Sequence, residues 1–131
     1  METKQAKKIG IWMDNSKANL MEYSMELIET TTIESKFTHE VMEESLEKSE
    51  NVMHNKKQQL QSDYFKNIAS AIKNYEEVLI FGPTEAKIKL MHKLKTDKNV
   101  SKIKMHIKQT DYMTENQQHA FVRDFYKTNL I

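Results

Sequence analysis

The stretch YFKNIASAIKNYEEVLIFGPTEAKIKLMHKL, residues 64–94, holds three structural signals in succession. Phe65, Ile68, Ala69 and Ile72 recur at the i, i+3, i+4, i+7 spacing of an amphipathic helix, which predicts one over residues 60–74. Residues 77–81 (EVLIF) form an apolar run too short for a helix, and so a buried strand, closed by Gly82-Pro83. Residues 84–94 return to helical spacing, with Met91 and Leu94 inward and the lysines outward. A helix, a buried strand and another helix in immediate succession predict parallel strands joined by right-handed crossovers.

Upstream, residues 9–13 place Ile9, Ile11 and Met13 on one side and Gly10 and Trp12 on the other, the mark of a central strand apolar on both faces. Asp14-Asn15-Ser16-Lys17 is turn chemistry, because these short polar side chains bond their own backbone. Residues 18–23 alternate, residues 24–26 turn, and 27–35 are rich in Thr and Ile, so the first third reads as a three-stranded antiparallel meander. Downstream, Ile103, Met105 and Ile107 alternate with Lys102, Lys104, His106 and Lys108, predicting a half-exposed strand. Thr114 and Gln117 form a capping box that opens a last helix through Ala120, Phe121 and Phe125. The order is βββαβαβα, an α/β layered domain on a mixed five-stranded sheet. Residues 37–59 are expected to be a polar, mobile connection or a weak helix carrying Val41, Met42, Leu46 and Met53.

At 131 residues the chain is long enough for one domain (1–131) that buries roughly two-thirds of its unfolded surface. The absence of cysteine excludes disulfides, thiolate metal sites and a Cys nucleophile. No apolar run approaches the ~20 residues of a membrane span, and the start lacks a signal-peptide core, so a soluble, cytoplasmic protein without membrane contact is expected. With Gly10 and Gly82 its only glycines, the chain has no Gly-rich phosphate loop. Behind a net charge of +1, residues 19–53 carry −7 and residues 84–110 carry +6.

Three segments in this order, KIGIWMDNSKANLMEY, the stretch at 64–94, and QTDYMTENQQHAFVRDFY, resemble the middle domain of the archaeal-eukaryotic release factor and Pelota family. They are still more similar to its bacterial single-domain relatives, grouped with translational machinery components. The resemblance covers nearly the whole chain except residues 37–59, and Gly82-Pro83-Thr84-Glu85-Ala86-Lys87 and the helix from Thr114 are its specific parts. It implies a ribonuclease H-like sheet of five strands with helices on its faces. It also implies a ribosome or RNA connection. True release factors carry Gly-Gly-Gln between the third strand and the first helix; here that region has Gln58, Gln59 and Gln61 and no glycine, which argues against peptide release.

Candidate sites follow from residue type and spacing. Lys87, Lys89, Lys93, Lys102, Lys104 and Lys108, with Lys95 and His106, would form a phosphate-binding face for RNA, or an edge strand lined with lysines against aggregation. Aromatic residues are not interleaved with these lysines in the sequence. The backbone N–H groups of Thr84, Glu85 and Ala86, at a strand-to-helix junction, are a weaker candidate for an anion. Asp14 and Asp111 are the acids a metal-dependent nuclease on this fold would use, and otherwise a turn and a loop residue. The histidines (39, 54, 92, 106, 119) lack zinc spacing, and Ser16 and Ser62 lack an evident base, so no catalytic residue, metal or cofactor is expected. The function expected is a non-catalytic, ribosome- or RNA-associated domain. A protein-interaction or homo-oligomeric module using the acidic 37–59 segment is the alternative.

Overall fold

In a computed structural model of the chain, residues 7–23, 29–35 and 50–128 are described, the last span with side chains over 55–127. The elements are β1 (Lys8–Met13), β2 (Lys17–Glu22), β3 (Thr30–Glu34), α1 (Glu50–Ile72), β4 (Glu77–Gly82), α2 (Ala86–Thr96), β5 (Lys104–Gln109) and α3 (Glu115–Thr128). The five strands lie in the spatial order β3-β2-β1-β4-β5. β1 and β2, and β2 and β3, pair antiparallel, whereas β4 runs parallel to both β1 and β5. This is the mixed α/β sheet expected from the pattern.

The sheet separates two cores. Ile9, Ile11 and Met13 of β1, Ala18 and Leu20 of β2, and Val78 and Ile80 of β4 point to one side, where Phe65, Ile68, Ala69 and Ile72 of α1 and Leu90 and Leu94 of α2 cover them. Trp12, Met21, Leu79 and Phe81 point to the other side, under Val122 and Tyr126 of α3. The period-two alternation of the strands therefore feeds both cores at once, as buried central strands require. Phe81 stacks on Phe121 of α3, with ring centroids 4.7 Å apart.

Both glycines are demanded by close approaches. A Cβ on Gly10 would lie 2.3 Å from Cγ2 of Val122, so α3 can sit against β1 only where the strand has no side chain. Gly82 has φ +151°, and a Cβ there would meet the Met13 carbonyl oxygen at 2.1 Å. With Pro83 next, β4 stops there.

Several boundaries differ from the pattern-based expectation. α1 starts at Glu50 rather than at residue 60, so the second part of the polar segment is helical. Tertiary cover of its last three turns anchors a helix whose first turns have no apolar stripe of their own. The turn at 24–26 lies outside the described residues, as do Met25 and the acidic residues with Val41, Met42 and Leu46 at 37–49; Met53 is in α1, without a described side chain. In α2 the inward residues are Leu90 and Leu94 rather than Met91, and one lysine, Lys87, points inward as well. β5 begins at Lys104, not Lys102. In α3 the fully covered positions are Gln118, Val122 and Tyr126, with Ala120, Phe121 and Phe125 only partly covered. The capping box forms as read: the Gln117 backbone N–H donates to Thr114 Oγ1 (3.2 Å), and the Thr114 N–H donates to Gln117 Oε1 (2.9 Å).

Candidate nucleic-acid interface

The lysines predicted to share one face are divided by the sheet. Met105 and Ile107 pack toward α1 and α2, so Lys104, His106 and Lys108, alternating with them, point to the α3 side. Lys89 and Lys93 sit on α2, which covers the opposite side. Lys102 is exposed just ahead of β5. His106 does not extend the basic stripe: its Nε2 lies 3.0 Å from Glu77 Oε2 and its ring packs on Phe125 at 5.0 Å. That puts a carboxylate beside the stripe, on the residue of β4 that pairs with Lys104.

Lys87 is not on any surface. It is 2% exposed, and its ammonium donates to the Thr84 carbonyl oxygen at 2.6 Å and to Gln109 Oε1, tying the start of α2 to the end of β5. Burial pushes its pKa below the ordinary lysine range, and the Glu85 carboxylate partly opposes that shift. A lysine at this depth works as a strut, not as a phosphate contact. A helical pattern of Lys at 87, 89, 93 and 95 gives no signal for which one turns inward; only packing against β5 decides it.

Of the three backbone N–H groups at Thr84, Glu85 and Ala86, that of Ala86 is engaged internally. The Ala86 N–H donates to Thr84 Oγ1 at 3.3 Å, the Glu85 side chain makes no capping bond, and the Lys87 ammonium occupies the Thr84 carbonyl oxygen. The engaged Ala86 N–H and the exposed Glu85 carboxylate both work against an anion at this helix start.

Asp14 likewise has local work. Its Oδ1 accepts from the Ser16 N–H (2.8 Å), the Ser16 hydroxyl (3.0 Å) and the Lys17 N–H (2.9 Å), which shapes the β1–β2 turn. Its carbonyl oxygen accepts from the Tyr64 hydroxyl at 3.1 Å. Asp111 is exposed beyond β5. Among the described residues no three His, Cys, Asp or Glu side chains come together in a metal-binding group.

What the structure does assemble is a basic cleft of about 260 Å³ at the end of the sheet where β1 stops. Asn15 of the β1–β2 turn, Ser35 after β3, Lys57 and Gln61 of α1 and Lys89 of α2 line it. One turn further along α2, Lys93 donates to Ser62 Oγ at 3.1 Å and so closes the seam between the helices. Two ammonium groups from separate helices and three neutral hydrogen-bonding side chains, with no carboxylate among the described lining residues, suit an oxyanion. Of the lysines here Lys89 and Lys93 stood out in the sequence and Lys57 did not, because it lies in the polar stretch read as a mobile connection or a weak helix. The opposite end of the same side holds a cleft of about 180 Å³ whose lining includes Glu22, Glu29 and Tyr75, so the two clefts on this side differ in charge.

The chain is similar in structure to the Pelota protein of Thermoplasma acidophilum, with a TM-score of 0.59 at 17% identity over 93% of this chain and 34% of that one. Its fold is that of the Pelota and release-factor middle domain. The archaeal translation termination factor aRF1 matches with a TM-score of 0.53 at 13% identity, over 95% of this chain and 40% of its own. Dom34 of S. cerevisiae, a translation termination-like factor involved in RNA quality control pathways and interacting with Hbs1, matches with a TM-score of 0.53 at 14% identity, over 94% of this chain and 36% of its own. The chain thus spans little more than a third of these Pelota and release-factor proteins. No protein-family model and no curated protein matches the sequence. Among the described residues no helix is long and apolar enough to cross a membrane.

Proposed function

We propose that this chain is a ribosome- or RNA-associated module of the release-factor-like type that does not catalyse peptide release. The observation that carries the reading is the Pelota-like fold over 93% of the chain, in a sequence whose only glycines, Gly10 and Gly82, both lie in strands. A Gly-Gly-Gln element would stand between β3 and α1, and that connection contains no glycine. In its place, the end of the sheet where β3 finishes presents the Lys57, Lys89 and Lys93 seam, which supplies phosphate contacts without a catalytic group. Lys102, Lys104 and Lys108 on the β5 edge add a second, weaker set, since Glu77 and His106 lie among them.

The test is co-sedimentation of the purified chain with ribosomes of its own host, at low salt and at ~0.3 M salt, where purely electrostatic association has largely dissolved. Retention at both salts supports a specific ribosomal site. Loss at high salt alone supports phosphate contact, and the Lys57→Glu/Lys89→Glu chain should then bind about tenfold or more weakly. Absence of binding at low salt refutes the reading.

A further inference from the structure

On the far side of the sheet from the lysine cleft, but at the same end, aromatic and basic groups meet that are far apart in the sequence. Tyr112, between β5 and α3, is 69% exposed, the most exposed large apolar residue among those described. Its ring lies 6.0 Å from that of Trp12, inclined by 58°. The Lys17 ammonium stands 6.0 Å from the centre of the Trp12 ring. Lys108 is the register partner of Phe81, which is in turn the partner of Trp12, so Lys108 projects on the same side. Neither lysine makes an ion pair among the described residues, although Glu34 is the register partner of Lys17 and Asp111 precedes Tyr112.

A second, independent observation marks the same corner. The only two buried side-chain polar atoms without a hydrogen-bond partner among the described residues are Trp12 Nε1 and Thr110 Oγ1. Trp12 is 2% exposed, so its indole N–H is a donor withdrawn from water and given nothing in return. Orphaned groups of this kind are rare in folded proteins and call for a partner. The first belongs to the ring whose centre lies 6.0 Å from that of Tyr112, and the second to the residue two before Tyr112 in the chain. The backbone is held on both sides of Tyr112, by the Thr110 N–H donating to the Gly82 carbonyl oxygen at 3.1 Å and by the Met113 carbonyl oxygen accepting from Gln118 Nε2, so any adjustment over Trp12 is a turn of the exposed Tyr112 side chain itself.

We propose that Tyr112, backed by Trp12, is a stacking platform for an unpaired base of single-stranded RNA, with Lys17 and Lys108 set to meet its phosphates. A solvent-facing aromatic ring beside cations is the arrangement that binds single strands with little sequence preference, since every base has a π face. The indole N–H and the Thr110 hydroxyl offer a donor and a second polar group to the base edge once the Tyr112 ring shifts. The choice of RNA as ligand rests on the reading under Proposed function; the platform itself rests on Tyr112, Trp12 and the two orphaned atoms.

Trp12 is the only tryptophan in the chain and therefore reports on its own site. Its fluorescence is followed while an oligonucleotide of about eight adenosines, and a matched abasic oligonucleotide, are titrated into the full chain. The expected result is a Trp12 signal with the adenosine strand, and binding of the abasic strand weaker by between about fivefold and a hundredfold. Tyr112→Ala should lose affinity by the same factor and Tyr112→Phe should keep it, because the ring and not the hydroxyl does the stacking. Equal affinity for both strands, an unaffected Tyr112→Ala chain, or binding without a Trp12 signal overturns the platform. Failure to bind the adenosine strand, with ribosome co-sedimentation intact, overturns the platform alone; failure of both also removes the reading on which the ligand rests.

Discussion

Asn19 of β2 donates its side-chain N–H to Oε1 of the Gln118 side chain in α3 across 2.9 Å, a buried polar contact between residues ninety-nine positions apart. The contact is one link of a chain. Thr32 Oγ1 donates to Asn19 Oδ1 at 2.9 Å, and Gln118 Nε2 donates to the Met113 carbonyl oxygen at 2.9 Å. Alongside it, Thr30 Oγ1 and His119 Nε2 are 2.6 Å apart. Polar groups thus run from β3 through β2 to α3 and on to the segment that carries Tyr112. Because each member has partners, the row fixes how α3 sits without the cost of a buried orphan.

Replacing Asn19 by Ala should therefore destabilise the chain by about 1–3 kcal/mol, since Gln118 loses its partner in a dry layer. Gln118→Ala should cost a similar amount. The double variant should lose clearly less than the sum, as expected for side chains in direct contact. Urea unfolding of the four proteins measures the coupling; strict additivity would show that the bond contributes nothing.

Gly10→Ala places a methyl group 2.3 Å from Val122 Cγ2, so α3 has to lift or the valine has to give way. The expected cost is about 1–3 kcal/mol, the range for overpacked cores. Val122→Ala in the same chain should return part of the loss, although each substitution alone destabilises. Thermal or urea midpoints of the single and double variants check this.

Tyr64 and Tyr126 are the groups that should govern alkaline stability. Burial is the main reason each phenol is held well above its ordinary value of 10.0, with a nearby carboxylate, Asp14 or Glu77, adding to it. Because the folded pKa is raised, their contribution is complete below about pH 10 and is lost as pH rises further, when the unfolded chain ionises and the folded one does not. Ultraviolet titration should show these two phenols ionising only together with unfolding. Tyr126→Phe, which loses the 2.8 Å bond to the Ile9 carbonyl oxygen, should cost about 1 kcal/mol at neutral pH.

Lys87 acts with the opposite sign. Its folded pKa is lowered from 10.5, so its charge costs stability at neutral pH and that cost fades as pH rises toward the unfolded value. The Lys87→Met chain should consequently show a steeper alkaline loss of stability just below pH 10.5 than the parent. Its ribosome or RNA retention should match the parent, whereas Lys57→Glu/Lys89→Glu should not. Denaturation curves at several pH values and the co-sedimentation assay measure the two effects separately.

The sequence by itself determined the order of elements, the faces of the strands and the capping of α3, because those depend on periods of two and 3.6 residues and on bonds between near neighbours. The stripe Phe65, Ile68, Ala69 and Ile72 and the alternation about Trp12 are legible for that reason. Only the tertiary structure decided that Glu50 already belongs to α1, that Lys87 turns inward, and that the remaining lysines fall on two sides of a sheet. It also brought Tyr112 onto Trp12 beside Lys17, although no aromatic residue stands among the lysines of the primary sequence. Local pattern reports which side of an element is apolar. Which surface groups converge is set by the strand order β3-β2-β1-β4-β5 and by the side on which each helix crosses, and these come from non-local pairing that no window of sequence contains.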